Sequence, residues 1–313
     1  MNIIYNNGLN IFNGYTGVGL GTFDGLHSGH MVLVDTLGKE CSKRKLTSVI
    51  YTFDKHPDDV LSSKTKTPLL TTIARKSELL SERRIDSLVI DNFTEDYARM
   101  QPEDFVRDVL VGKLKIKLAV AGFNYTFGHK GAGNVELLKK LSGKYDFEFI
   151  EIPPIIIDGE IVSSTLIRNY IKSGDVERAA KLLGRKYELS GKVVKGKRLG
   201  SKMGFPTANI YPDGTLLIPA RGVYVTLSII DGIEYKSITN VGLNPTFDEN
   251  TGIRLETHIF NFDMELYGKD MKLYFIKKIR DEMRYDNPEK LKIQVHRDMK
   301  TVKKYFRNKE KTF

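Results

Sequence analysis

The pattern of this chain changes near residue 185, and that change constrains the fold more than any other feature. Before it, strand-like and helix-like stretches alternate. Thr16–Gly21, Thr47–Phe53, Ser87–Ile90 and Lys117–Gly122 read as strands. Between and after them, Gly29–Lys43, Thr72–Arg83, Pro102–Val111 and Asn134–Leu141 read as helices. Strands interleaved with helices predict a parallel sheet covered on both faces. After the change come short strands at Tyr187–Val194, Gly222–Ile230, Ile233–Val241, Leu255–Ile259 and Met271–Ile279, separated by Gly, Pro, Asn and Asp turns. They predict a small antiparallel barrel. Leu291, Val295, Met299, Val302 and Phe306 then form one apolar stripe of a helix among basic residues, expected to pack on the barrel. A chain of 313 residues suits two domains, and we place them at 1–184 and 185–313, after the helical stretch Asp175–Leu183.

Composition excludes several classes. Hydrophobic residues at 41% and charged residues at 28% describe a globular chain rather than a disordered one. No apolar run reaches the roughly 18 residues of a membrane span. Met1–Gly14 lacks the basic and apolar regions of a signal peptide, and the single Cys41 forms neither an internal disulfide nor a thiolate cage. A cytoplasmic protein is expected. The net charge of +10 lies almost wholly in the second part, with +1 on residues 1–184 and +9 on residues 185–313. Such an excess attracts nucleic acid, acidic membrane or phosphate-bearing small molecules, or simply solvates a helix face. There is no aromatic RNA-binding signature, so neither a nucleic acid nor a membrane partner is expected, and oligomeric state stays open.

The first chemical constellation is Gly19-Leu-Gly-Thr-Phe-Asp-Gly-Leu-His-Ser-Gly-His30, between a strand and a helix. Glycines let the backbone turn tightly and approach a ligand, and the N–H groups of a helix start attract phosphate. His27 and His30 straddle that start, so both can point at one phosphate group. Zinc is a poor alternative, because no cysteine or third histidine lies near.

This segment resembles the nucleotidylyltransferase superfamily, and Ser163-Ser-Thr-Leu-Ile-Arg168 resembles its second signature. Thr52-Phe-Asp-Lys-His-Pro57, Phe93-Thr-Glu-Asp-Tyr97, Pro102-Glu-Asp-Phe105 and Gly122-Phe-Asn-Tyr-Thr-Phe-Gly128 narrow the resemblance to the bacterial bifunctional riboflavin kinase/FAD synthetases. It runs from about Gly17 to Phe306 and implies an α/β Rossmann-like nucleotidylyltransferase domain followed by a β-barrel kinase domain with a C-terminal helix. It implies ATP contacts at Gly21, Phe23, Gly25, Ser163, Ser164 and Thr165, with His27, His30 and Arg168 acting on the phosphates. It places flavin at Phe53, His56, Pro57, Asn124, Tyr125 and Phe127, although aromatic residues are core residues first.

Gly204-Phe-Pro-Thr-Ala-Asn209 resembles the signature of the riboflavin kinase module. The resemblance gives ATP contacts at Gly204 and Pro206, Mg²⁺ ligands at Thr207 and Asn209, flavin contact at Arg280, and Glu256 as the base. A primary alcohol is a poor nucleophile, so a carboxylate to take its proton is a reasonable requirement. One departure stands out: Ser201 occupies the place where the family has arginine.

The expected function is therefore bifunctional: riboflavin and ATP to FMN and ADP in the barrel, then FMN and ATP to FAD and pyrophosphate in the first domain, with Mg²⁺. The alternatives are an adenylyltransferase whose barrel only binds flavin, and a non-enzymatic flavin- or RNA-binding regulator.

Overall fold

The computed structural model describes residues 1–6, 12–55, 57–61, 66–196, 200, 204–243 and 253–310. They form two compact units, Met1–Ser164 and Thr165–Phe313.

The first unit is built on a six-stranded sheet, ordered β1-β4-β3-β2-β5-β6 and parallel throughout. Its strands are β1 (Asn2–Asn6), β2 (Thr16–Leu20), β3 (Thr47–Phe53), β4 (Ser87–Asp91), β5 (Ile116–Gly122) and β6 (Glu148–Ile152). Every residue of β2 is buried, as a central strand covered on both faces requires. Helix α1 (Ser28–Arg44) lies against β2, and glycine makes that approach possible. A Cβ on Gly17 would stand 2.3 Å from Cys41 Sγ. Leu33, Leu37, Ile50, Leu79, Leu88 and Val120 fill the core on one face, under α1 and α3 (Ile73–Glu82), the short helix between them being α2 (Pro57–Leu61). Val18, Tyr51, Phe105, Val109, Ala119 and Leu138 fill the other.

That second face is covered by Phe105–Lys113, which follows the short helix Pro102–Asp104 and winds as a π-helix, and by Val135–Tyr145. Other elements that pattern did not reveal are β1, β6 and the hairpin of β7 (Ile156–Ile157) with β8 (Glu160–Ile161).

The second unit is a closed barrel, ordered β10-β13-β12-β11-β14-β9. Its strands are β9 (Tyr187–Val194), β10 (Ala208–Ile210), β11 (Gly222–Ile230), β12 (Ile233–Leu243), β13 (Ile253–Ile259) and β14 (Asp270–Arg280), all paired antiparallel. Alternation along β11 sends Val223 and Val225 outward into a cluster with Ile238, Phe260 and Val302. Met299, Tyr305 and Phe306 join it, so the apolar stripe of the last helix (Pro288–Glu310) does pack on the barrel. The other face of β11 and its neighbours carries fully buried hydroxyls. Ser228 Oγ donates to Ser237 Oγ at 2.8 Å, and the row continues to Thr226 (2.8 Å), Thr239 (2.8 Å) and Thr257 (2.9 Å).

The units divide at 164/165, upstream of the change in pattern at 184/185. Two helices account for the difference. Ser164–Ser173 and Val176–Leu183 continue the α/β rhythm in sequence, yet the second packs on β9 and β14, with Lys277 Nζ 3.1 Å from Glu177. The Ala220 N–H also donates to Ile171 O at 3.1 Å.

Candidate active sites

The turn between β2 and α1 is held in a conformation that L-residues seldom adopt: φ is +50° at Phe23, +82° at Gly25 and +39° at Leu26. Such strain persists only where surroundings fix it. Phe23 is fully buried, and Leu70 N–H donates to both carboxylate oxygens of buried Asp24 at 2.9 and 3.1 Å. Ser164 Oγ donates to Asp24 O at 2.9 Å, which brings the start of the second signature onto the first. Lys76 Nζ and Thr52 Oγ1 donate to Thr22 O, at 2.9 and 2.8 Å.

The turn delivers the two histidines. His27 is the N-cap of α1, its Nδ1 accepting from His30 N–H at 3.2 Å, which leaves Nε2 as the protonated nitrogen of a neutral ring. The rings stack at 3.6 Å with 14° between planes, and Phe23 lies 5.2 Å from His30. A ring that accepts at Nδ1 can donate from Nε2, and the helix start favours an anion beside it. Gly21 packs near the Phe23 ring. Ser163 is half-buried; Thr165 is exposed and Arg168 buried on the helix that opens the second unit.

Beside this turn, at the C-terminal end of β3, lies a cleft lined by Thr22, Asp24, Thr52, Asp54, Lys55 and Lys76 among others. The fully buried Lys76 ammonium is pushed down to about 8 by desolvation, against the pull of Asp24. Phe53, expected at the flavin, is half-buried and sits edge-on to Phe93 (4.9 Å) and Tyr97 (5.3 Å). Beneath it Tyr51 donates to Asp91 Oδ2 at 2.5 Å and meets the Tyr97 hydroxyl at 2.7 Å. Burial pushes both phenols well up. Asn124 is exposed and Tyr125 stacks on Phe127 at 5.7 Å, but Phe127 itself is buried against Phe105 as a core residue. Pro57 opens a short helix; His56 lies outside the described residues, as do Ser201 and its basic neighbours Lys197, Arg198 and Lys202.

In the barrel, pairing sets Asn209 opposite Glu256 and Glu256 opposite Asn240, one row across β10, β13 and β12. Asn209 is buried, Thr207 and Glu256 half-buried, Gly204 and Pro206 exposed. The Glu256 carboxylate is ion-paired with Arg254 two residues away on the same face. His258 Nδ1–H donates to Pro206 O at 2.8 Å, fixing the peptide before Thr207, and burial holds that imidazole below its ordinary range. Thr207 and Asn209 offer neutral hard oxygens, and Asn209 is held so closely that a Cβ on Gly196 would stand 2.2 Å from its Nδ2. This donor pair fits Mg²⁺ carried in chiefly by nucleotide phosphates. Among the described residues no cluster of three or more His, Cys, Asp or Glu could hold a metal by itself, and no helix is long and apolar enough to cross a membrane. Arg280 is committed to Asp298, through Nε at 3.0 Å and Nη2 at 2.8 Å, with Nη1 donating to Asp281 O at 2.8 Å.

Sequence reasoning missed Lys76, Tyr51 and Asp91, and gave no role to Asp24 or His258. Asp24 lies within the Gly19–His30 segment and His258 two residues from Glu256, so their places were readable; Lys76, Tyr51 and Asp91 are brought in only by packing.

Residues 12–166 match the FAD synthetase family and residues 183–306 the riboflavin kinase family. A bifunctional riboflavin kinase/FMN adenylyltransferase from Buchnera aphidicola (subsp. Schizaphis graminum) is 36% identical, over 94% of this chain and 95% of its own. The enzyme of that name from Bacillus subtilis is 32% identical, over 93% of each. The crystal structure of a macrolide-efflux protein from Streptococcus pneumoniae superposes with a TM-score of 0.89 at 30% identity, covering 97% of this chain and 99% of that one. With both modules present in order and relatives matched nearly end to end, the chain belongs to the bifunctional riboflavin kinase/FMN adenylyltransferase family.

Proposed function

We propose that the turn carrying His27 and His30 is where the first unit makes FAD, and that the row of Asn209 and Glu256 is where the barrel makes FMN. The protein is an enzyme of FAD biosynthesis with both activities. In adenylylation an FMN phosphate oxygen, already anionic, attacks the α-phosphorus of ATP; the bond to the bridging oxygen breaks and pyrophosphate leaves. No strong base is needed. The residues position the reactants and receive the charge that gathers on pyrophosphate. His27, His30 and Arg168 do this from side chains, with Ser163, Ser164 and Thr165 on the phosphates. Phe53, His56, Pro57, Asn124 and Tyr125 are read as the flavin side, with Phe127 supporting Tyr125 from the core.

In the barrel the Glu256 carboxylate accepts the proton of riboflavin's 5′-hydroxyl as that oxygen bonds the γ-phosphorus of ATP, and ADP leaves. Gly204 and Pro206 line the ATP, Arg280 the flavin. Thr207 and Asn209 would hold Mg²⁺, which when bound neutralises phosphate charge. The functional boundary is placed at 184/185, the chemistry in the cytoplasm, and the basic second half is read as a field for anionic nucleotides rather than for nucleic acid.

The stacked His27–His30 pair at a capped helix start carries the reading. The test is incubation with riboflavin, ATP and Mg²⁺, with FMN and FAD followed by chromatography. His30→Ala should lower FAD formation from FMN about 10²–10³-fold, the scale for one positioned donor, with FMN formation near wild type. Glu256→Gln should do the reverse. The Arg254–Glu256 ion pair favours one further reading, a barrel that binds flavin without phosphorylating it. FAD made from FMN but none from riboflavin would establish it.

A further inference from the structure

The geometry points to Lys76 as a positioning residue of the adenylylation site, whose ammonium ties the histidine-bearing turn to the C-terminal end of β3. Its Nζ donates to Thr22 O at 2.9 Å and reaches Thr52 Oγ1 at 3.4 Å, while Thr52 Oγ1 donates to the same carbonyl at 2.8 Å. Thr22 precedes the three residues of positive φ that lead into His27. Thr52 precedes Phe53, on the flavin side of the same cleft. One side chain from α3 thus holds the two edges against which ATP and FMN are read to bind.

The turn is held by Lys76 Nζ at Thr22 O, by Thr52 Oγ1 at the same carbonyl, by Leu70 N–H at the Asp24 carboxylate and by Ser164 Oγ at Asp24 O. Only the first is an ionised donor. A charge-assisted bond is roughly twice as strong as a neutral one, and it is directed at a peptide whose neighbours are strained. A buried ammonium is costly, and methionine would occupy nearly the same volume without that cost. The arrangement therefore trades stability for a fixed turn.

This inference rests on the placement of FAD formation at His27 and His30, and the test separates the two. In the full chain, FAD formation from FMN and ATP is measured beside FMN formation from riboflavin and ATP. Lys76→Met should lower kcat for FAD formation at least tenfold, with the KM values for ATP and FMN changed less than threefold. FMN formation should stay within twofold of wild type. A residue that only supports the fold would not give this split. If His30→Ala leaves FAD formation at the wild-type rate, the site reading fails and Lys76 falls with it. If His30→Ala abolishes FAD formation while folded Lys76→Met keeps wild-type kcat, the Lys76 inference alone is overturned. Should Lys76→Met unfold the first unit, Thr52→Val decides, since it removes the other donor to Thr22 O. A severalfold drop in kcat at unchanged KM supports the proposal, and a wild-type kcat overturns it.

Discussion

Single residues of the first unit already carry measurable consequences. The Lys76 ammonium is held near 8 in the fold and at about 10.5 in the unfolded chain. Between those values the unfolded state binds the additional proton, so stability rises with pH. Measured against Lys76→Met, the first unit should gain roughly 1–3 kcal/mol from pH 8 to 10.5 in denaturant melts. The comparison matters because Tyr51, Tyr97 and Tyr125, all pushed up by burial, titrate in the opposite sense in both proteins. A second residue is Gly128, at φ +71°, where a Cβ would stand 2.7 Å from Pro102 N and Cα. Gly128→Ala should cost the first unit roughly 3 kcal/mol, read as a lowered Tm, because neither backbone nor proline ring can give way easily. His27 and His30 were legible because both lie in one local segment. Lys76 was not, since its partner Thr22 lies 54 residues upstream and only the docking of α3 brings them together.

At the scale of elements, periodicity located the helices and most strands to within a few residues, because burial on two faces or one leaves its mark on sequence. It failed where the mark is short. β10 has three residues, and β1 is an edge strand flanked by asparagines whose Ile3 and Tyr5 are exposed. Phe105–Lys113 has helical spacing, but its bonds run five residues back, as from Leu114 N–H to Val109 O at 3.0 Å, and no pattern of apolar residues distinguishes that from an α-helix. The last helix tests how far packing decides stability. Val302 is fully buried in the cluster with Val223, Val225, Ile238 and Phe260. Val302→Ala should cost the barrel roughly 2 kcal/mol, from two lost methyl groups and the cavity they leave. Deleting Pro288–Phe313 should abolish cooperative unfolding of the second unit; an unchanged melt would disprove the packing.

For the whole molecule, the division at 164/165 makes a prediction about fragments. A chain of Thr165–Phe313 keeps the helix Val176–Leu183, which buries Val176, Ala179, Leu182 and Leu183; one starting at Tyr187 loses it. Both should make FMN and no FAD. The longer should unfold at a higher denaturant midpoint. Equal midpoints would show that the two helices contribute nothing to the barrel, and FAD formation by either would overturn the assignment of the two chemistries. The boundary itself was hard to read, since a helix's sequence states which face is apolar and not which neighbour will cover it.

The hydroxyl row inside the barrel has a consequence of its own. A hydroxyl holds one hydrogen and so can give only once, though it can accept twice. Ser228 gives to Ser237, and the next links, to Thr226, Thr239 and Thr257, then cannot be oriented independently: a choice at one oxygen constrains the next. Such a row behaves like a line of dominoes, and its members are not equivalent. Thr226→Val at the middle takes one partner from each of Ser237 and Thr239, which keep Ser228 and Thr257, whereas Thr257→Val takes one partner from Thr239 alone. The former should therefore cost roughly twice the latter, at about 0.5–1.5 kcal/mol for each bond lost. Since Thr257 adjoins Glu256 on β13, loosening the row also loosens the strand from which phosphoryl transfer to riboflavin is proposed to be run.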